Sequence, residues 1–488
     1  MIKILIFYLI TLLFSDIGPY VNGKFYPDKK EDIENFIKNS FEKTKSYKKL
    51  AENLELKAII SPHAGYQFSG RLMAISYSVI NGTYESFIII SPSHRVLIDG
   101  AITCDEDFLT PLGKVEVDQE FIKILKENKL FKIDKIAFEN EHAIEVQLPF
   151  IQYKFKKTKI IPILVNTQDV SQLIKIAEEI KNTIEKTKRK VFIIISSDFS
   201  HYPDYETAHN SDRTAIEAIK TMNEQYFDLT QKMILSKNIK NLNTIACGSS
   251  AIIVGIRLSK LLGANTFTAF ENKNSNDENP IYSSKESVVG YISGAFVYDK
   301  NITKKQEKLE TEERKYLLKK ARNSIESYLK GDKNIIESKL EQNPKLNLPK
   351  AVFVTITENG YLRGCMGSTE PRLTLSDAVG YFAVVAGFND PRFSPLKAEE
   401  LKKIKIEISI LSPMKKINSI DEIKQKQQGV VVVSSKGSGL FLPQVWDYFN
   451  TKEDFLGELC QQKAGLERNC WKDKNTQLFT FTVEKFEE

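Results

Sequence analysis

The chain has 488 residues, 42% hydrophobic and 27% charged, the composition of a folded globular protein too long for one ordinary core, so two or three domains are expected. Its 69 basic and 63 acidic residues are interspersed and leave a net charge of +6, with no basic stripe interleaved with aromatics, so charge gives nucleic-acid binding no support. The five cysteines, at 104, 247, 365, 460 and 470, include no CxxC pair and no zinc-finger spacing; a Cys460–Cys470 bridge is open to an oxidising compartment, but nothing in the spacing requires it.

Lys3 precedes the apolar run Ile4–Phe14, and Ser15, Asp16 and Gly18 follow it. One early positive charge, a short apolar core and small residues afterwards resemble a secretory signal, and the run is too short to span a bilayer. Residues 1–21 are therefore set apart as a targeting segment, which implies a secreted or periplasmic location; a buried first strand and a cytoplasmic protein are the competing reading. No other stretch approaches membrane-spanning length.

Ile33, Phe36, Ile37 and Phe41 recur at helical spacing, which predicts an amphipathic helix to about Leu54. Ala58-Ile59-Ile60-Ser61-Pro62-His63 then reads as a buried strand ending in a histidine. Glycines bound a tight loop over 64–70, a helix over 71–80 follows, and Phe87-Ile88-Ile89-Ile90-Ser91-Pro92-Ser93-His94 is a second strand ending in a histidine. Residues 101–117 read as strands and turns and 118–128 as helix. In Glu141-His142-Ala143-Ile144-Glu145 a helical conformation puts His142 and Glu145 one turn apart on one face. A strand over 160–165 and a helix over 170–184 lead to Val191-Phe192-Ile193-Ile194-Ile195, which runs into Ser196-Ser197-Asp198-Phe199-Ser200-His201. Helices near 206–221 and 251–262 and a strand over 287–298 complete an α/β domain with a mainly parallel sheet.

Asp299–Lys315, dense in Lys and Glu, is the linker candidate. Beyond it come a helix at 316–329, a hairpin of 351–357 and 361–367 turning at Glu358-Asn359-Gly360, strands at 404–411 and 429–433, a helix at 452–464 and a strand at 478–483. Alternation is less regular here, so this part is α+β.

The chain has five histidines, and three of them fall just past apolar strands. Catalysis in open α/β sheets gathers beyond the carboxyl ends of such strands. His63, His94 and His201 offer imidazoles, and Cys247 and Asp198 offer anions, for a first-row transition-metal site. Two histidines and one anion leave coordination positions open, which suits iron-dependent oxygen chemistry or a metal-bound water; a thiolate shifts preference toward copper or zinc. Without metal, Cys247 just before a helix is a nucleophile candidate with His201 as base. His142 reads equally as a surface polar residue and as a group behind the ligands or toward substrate. In the second region Arg363 and Cys365 are placed on one strand face, and Arg392 lies beside an acid and two prolines. An arginine there can hold a carboxylate or phosphate. The equal reading is that Gly364 and Gly367 permit close packing around a buried Cys365.

Gly23-Lys24-Phe25-Tyr26-Pro27, Pro62-His63-Ala64-Gly65-Tyr66, Pro92-Ser93-His94, Thr110-Pro111-Leu112-Gly113, Glu141–Glu145, Ser197–His201 and Ala246-Cys247-Gly248 together resemble the Memo family over residues 22–298. Leu362-Arg363-Gly364-Cys365-Met366-Gly367, Arg392-Phe393-Ser394-Pro395 and Leu442-Pro443-Gln444-Val445 resemble the AMMECR family over 312–488, with 299–311 as linker. The pair looks like a fusion of the B and A components of the AmmeMemoRadiSam system. The resemblance implies an α/β fold like the class III extradiol dioxygenases, with helices on both faces of the sheet, followed by a smaller α+β domain. It puts His63 and His94 on the metal-binding histidines, Cys247 in the place of a carboxylate ligand, and His201 on the catalytic acid/base with Asp198 beside it. Iron(II) or copper is the cofactor expected, ahead of zinc. Arg95 stands where the family commonly has a second histidine, removing an imidazole and adding a cation; with His142 and Glu145 it is expected behind the ligands or toward substrate. The system implies a radical SAM protein as partner and a small-molecule substrate. A metal-dependent oxidoreductase, a metal or redox partner without turnover, and a Cys-dependent hydrolase or ligand-binding module all remain open.

Overall fold

The computed structural model describes residues 16–302 and 308–488. The described chain divides into two compact units, the first of residues 16–302 with Gln342–Pro344 and the second of residues 308–341 and 345–488. The apolar run Ile4–Phe14 expected to target the chain lies outside the described residues, as does the middle of the linker. From Ile17 the backbone already belongs to the first unit: Ile17 and Val21 are buried, and Ile17 forms a β-bridge with Phe108.

In the first unit α1 (Lys30–Glu42) and α2 (Lys45–Ala51) precede β1 (Glu55–Ser61), α3 (Tyr66–Ser78) and β2 (Ser86–Ser91). Short strands β3 (Ala101–Thr103), β4 (Phe108–Thr110) and β5 (Gly113–Val115) follow, then α4 (Gln119–Leu125), β6 (Phe131–Ile133), α5 (His142–Glu145) and α6 (Leu148–Lys154). The remainder is β7 (Lys159–Val165), α7 (Val170–Thr187), β8 (Val191–Ser196), α8 (Tyr205–Lys220), α9 (Glu224–Ser236), α10 (Ser249–Leu261), β9 (Thr266–Asn274), α11 (Ser275–Glu278) and β10 (Gly290–Tyr298).

One eight-stranded sheet has the order β6-β3-β7-β2-β8-β1-β10-β9. Its centre, β7-β2-β8-β1, is parallel throughout. These strands carry continuous Ile-rich runs because helices cover both faces: α4, α7, α9 and α10 pack together as one layer, and α1, α2, α3 and α6 as the other. The flanks differ from the mainly parallel expectation. β10 runs antiparallel to β1, β9 to β10, and β3 to β7, so the sheet is mixed. β9 returns into β10 through α11 and a loop, without a helix crossing the sheet. The expected loop at 64–70 is another difference: α3 starts at Tyr66, whose buried ring packs on Phe36 and Phe150.

The second unit opens with α12 (Thr311–Leu329), followed by the hairpin of β11 (Ala351–Glu358) and β12 (Tyr361–Gly367), whose turn residues Asn359 and Gly360 both have positive φ, as a two-residue type I′ turn requires. α13 (Leu375–Phe388), β13 (Ile404–Leu411), β14 (Lys415–Ile417), β15 (Gly429–Ser434), β16 (Gly437–Phe441), α14 (Lys452–Glu458), β17 (Gln477–Phe481) and β18 (Val483–Glu487) complete it. Two four-stranded sheets result, β12-β11-β13-β18 and β14-β17-β15-β16. α12 and α13 pack on the even-numbered face of β11, where Val352, Val354 and Ile356 are fully buried. The terminal strand expected at 478–483 is two strands that break at Thr482 and join different sheets. Cys460 and Cys470 are disulfide-bonded within this unit.

Candidate functional site

Three adjacent parallel strands, β2-β8-β1, deliver their carboxyl ends to one edge of the sheet. His94 follows Ser91 of β2, Asp198 and His201 follow Ser196 of β8, and His63 follows Ser61 of β1. Strand order therefore gathers residues that lie up to 138 positions apart. Cys247 arrives from elsewhere, just ahead of α10. Its backbone N–H donates to Asp198 O at 3.2 Å, and Gly248 N donates to Ser197 Oγ at 3.0 Å. A Cβ on Gly248 would stand 2.7 Å from Ser197 Cβ and 2.9 Å from Ser196 O, so only glycine lets this turn close onto the end of β8.

The result is a cluster in which one ligand atom each from His63, His94 and Cys247 lies within 4.8 Å of the others. His63 Nε2 is 3.1 Å from Cys247 Sγ, comparable to the edge of about 3.5 Å in a tetrahedron built with metal–nitrogen and metal–sulfur bonds of about 2.0–2.3 Å. Two nitrogens and a sulfur converging at this separation fit a first-row transition metal ion. His63 is 1% exposed, whereas the His94 ring is 29% exposed, so the cluster opens to solvent on the His94 side.

Electrostatics separate this cluster from an activated thiol. Burial, then the neighbouring Asp198, pushes the Cys247 thiol well up. Burial, then His94, pushes the His63 imidazole well down. Both groups are neutral without a cation, the reverse of a thiolate–imidazolium pair. Glu141, to which the sequence reading gave no role, holds His94. Its carboxylate accepts from His94 N at 2.6 Å and Ala143 N at 3.0 Å, and lies 2.9 Å from His94 Nδ1. Burial opposes ionisation of Glu141, but the bonds and charge of His94 bring it down to about 2. An ionised acceptor on Nδ1 leaves His94 Nε2 for a ligand.

The other expected residues divide. Asp198 accepts the His63 backbone N–H at 2.7 Å, so it anchors the first histidine loop. Burial pushes its carboxyl up and the His201 imidazole down, while each charge favours ionisation of the other. His201 is fixed through its backbone to Thr244 and Val289, and its Nε2 is a buried nitrogen with no hydrogen-bond partner among the described residues. It lies outside the three-ligand cluster. His142 does stand with the imidazoles, its ring 4.5 Å from His94 and 5.4 Å from His63, with Phe25 covering it at 4.8 Å. Burial, then His63, pushes it down to about 3. Glu145 does not share that role. Its buried carboxylate accepts Tyr20 N at 2.9 Å, Val21 N at 3.0 Å and Tyr26 Oη at 2.7 Å, and so pins residues 20–26 to the unit. Arg95 is exposed and donates to Asn140 O at 2.9 Å, which ties the guanidinium to the surface.

In the second unit Arg363 is the extra residue of a bulge in β12, which removes the simple same-face relation to Cys365. Its guanidinium meets Glu400 at 2.7 and 3.2 Å and Ser394 O at 2.9 Å. Arg392 Nε and Nη2 reach Asp390 at 2.9 and 2.7 Å, and Asp390 also accepts Cys365 N at 2.9 Å. Thr355 donates to Cys365 Sγ at 3.3 Å. These arginines bind their own chain, and Asp390, which the sequence reading noted only as an acid beside Arg392, is the centre of the arrangement.

Residues 18–295 match the Memo family, described as Memo-like protein, and residues 318–486 match AMMECR1. A MEMO1 family protein of Methanobrevibacter smithii is 35% identical over 288 residues, covering 57% of this chain and 98% of its own length. One from Methanopyrus kandleri is 32% identical over 288 residues, with the same shares of 57% and 98%. A crystal structure of an uncharacterised protein, PH0010, from Pyrococcus horikoshii is 36% identical, covering 36% of this chain and 90% of its own with a TM-score of 0.32. The mixed sheet flanked by helices is the extradiol dioxygenase-like architecture of this family. The chain belongs to the Memo family and joins an AMMECR1 domain to its Memo domain.

Proposed function

We propose that the Memo domain binds one first-row transition metal ion, iron(II) or copper, through His63 Nε2, His94 and Cys247 Sγ, and serves oxidoreductase chemistry on a small molecule. The observation that carries this reading is the convergence of the three ligand atoms within 4.8 Å on an open edge of the sheet. A bound ion of this class supplies one-electron chemistry and polarises an oxygen ligand. The protein side is a division of labour. His63 and His94 bring nitrogen donors, Cys247 brings the anion once its proton leaves, and the exposed flank of His94 is the way in. His201 Nε2, buried and unpartnered among the described residues, accepts or returns a proton, and the Asp198 charge favours the protonated state. The neutral Cys247–His63 pair favours this reading over a thiol nucleophile.

A second reading has one observation of its own. The fusion to an AMMECR1 domain supports a place in the AmmeMemoRadiSam system, with the Memo domain as metal or redox partner of a radical SAM protein and no turnover alone.

Metal analysis of anaerobically purified full-length protein tests the site: about one iron or copper per chain in the wild type and none in Cys247→Ser is expected. Metal-free protein that retains full activity would overturn the proposal. Metal binding without oxygen consumption in the presence of phenols or thiols would favour the partner reading.

A further inference from the structure

The side chains behind His63 determine which of its nitrogens carries the proton. His63 Nδ1 lies 3.0 Å from Ser196 Oγ, at the end of β8. That hydroxyl has two further neighbours, Ala143 O at 2.7 Å and Gln147 Nε2 at 3.0 Å. A carbonyl only accepts, so the single Ser196 hydroxyl proton goes to Ala143 O. The orientation of the Gln147 amide is fixed independently. One end faces Pro62 O at 2.8 Å, which needs a donor, and the other faces Ser61 Oγ and Tyr77 Oη, each at 3.0 Å, which can give one. Gln147 Nε2 therefore donates to Ser196 Oγ, and the hydroxyl has only lone-pair density left for His63. A bare Nδ1 there would set two lone pairs against each other, where neither can turn to water: Ser61, Gln147, Ser196 and Tyr77 are all fully buried. His63 must be protonated at Nδ1.

We infer that Gln147 is a positioning residue for His63: acting through Ser196, it fixes the imidazole as the Nδ1–H tautomer, so that Nε2 faces Cys247 Sγ with its electron pair free. The purpose of this device rests on the metal-site reading, but the tautomer itself belongs to the metal-free chain. Glu141 does the same for His94 with a carboxylate in place of the Gln–Ser relay. One ligand is thus set by a charge near the surface and the other by a neutral relay in the core, where an unpaired carboxylate would be costly.

Nitrogen-15 correlation spectra of the metal-free full-length protein, labelled at histidine and assigned with His63→Gln, read the ring tautomers without depending on how any network variant folds. The expected result is His63 protonated at Nδ1 alone; Nε2–H at His63 would overturn the inference. In Ser196→Ala and Gln147→Met, His63 should lose this preference, and iron(II) affinity measured by competition under anaerobic conditions should fall about 10–100-fold. Ser196→Thr, which keeps the hydroxyl, should retain both. If both deletion variants keep the tautomer and the affinity, Gln147 has no positioning role. If the wild type shows Nδ1–H but binds no metal, the metal reading fails while the positioning stands.

Discussion

Two buried aspartates, one in each unit, hold a loop by the same backbone contact under opposite electrostatic conditions. Asp212, on α8, accepts Ser200 N at 3.0 Å and Asn272 Nδ2 at 3.2 Å, and so supports the segment between Asp198 and His201. It approaches so closely that a Cβ on Gly290 would stand 1.9 Å from its carboxylate. Among the described residues no cation pairs with it, and burial pushes it up to about 7. Asp390 accepts Cys365 N, but it also receives the Arg392 guanidinium, which holds it well below the usual carboxylate range. The C-terminal cluster is closed: Arg363, Arg392, Asp390 and Glu400 are all committed to one another or to backbone. The strand-end cluster keeps one group unspent, His201 Nε2, which has no hydrogen-bond partner among the described residues. Unspent buried polar groups are what a ligand site requires and a structural clamp does not have.

The two aspartates should respond to pH with opposite sign. The folded pKa of Asp212 exceeds its unfolded value near 3.8, so the folded state binds more protons between about pH 4 and 7, and stability falls as pH rises through that window. The span is worth at most on the order of 4 kcal/mol. Asp212→Asn, which keeps an oxygen for Ser200 N, should flatten the stability profile between pH 4 and 7 in thermal melts of the full chain. A profile as steep as that of the wild type would mean that Asp212 is ionised throughout. Asp390 has its folded pKa depressed, so its contribution is complete above about pH 4 and is lost as pH falls further. Asp390→Asn should cost about 2 kcal/mol at pH 7, the range for hydrogen bonds to charged groups. It should leave metal content unchanged, because the clamp and the candidate site lie in different units.

Much of this was legible in the sequence, and the boundary has a physical basis. β1, β2 and β8 announce themselves because a parallel strand covered on both faces needs a continuous apolar run, and the histidines lie directly after those runs. α13 was not anticipated: Val379, Ala383, Val384 and Ala386 leave it apolar nearly all round, with no helical stripe, although Thr374 ahead of Asp377 is a capping signal. For Glu145, helical spacing shows which residues share a face of a helix and not that this face meets Tyr20, Val21 and Tyr26. Gln147 and Ser196 were invisible for a stronger reason. Their role exists only where Ser61, Tyr77 and Ala143, distant in sequence, come within hydrogen-bonding reach. Local pattern reveals elements and chemically conspicuous side chains; the groups that set a tautomer or hold a loop appear only once strand order is known.

Arg95 gives the smallest expected effect and the sharpest check on what resemblance carries over. It directly follows His94, so sequence position alone places a cation beside the ligands. In this chain the guanidinium is exposed and tied to Asn140 O. Screening by water at such a position leaves little field at His94. Arg95→Ala should therefore change stability by about 0.5 kcal/mol or less and leave metal occupancy as in the wild type, measured on the same anaerobic preparation. Arg95→His is the informative companion. If the added imidazole raises iron(II) affinity, this position reaches the ion and the His94 flank holds a further ligand place. Affinity unchanged in both variants would confine the site to His63, His94 and Cys247, with Glu141 and the Gln147 relay as the groups that orient it.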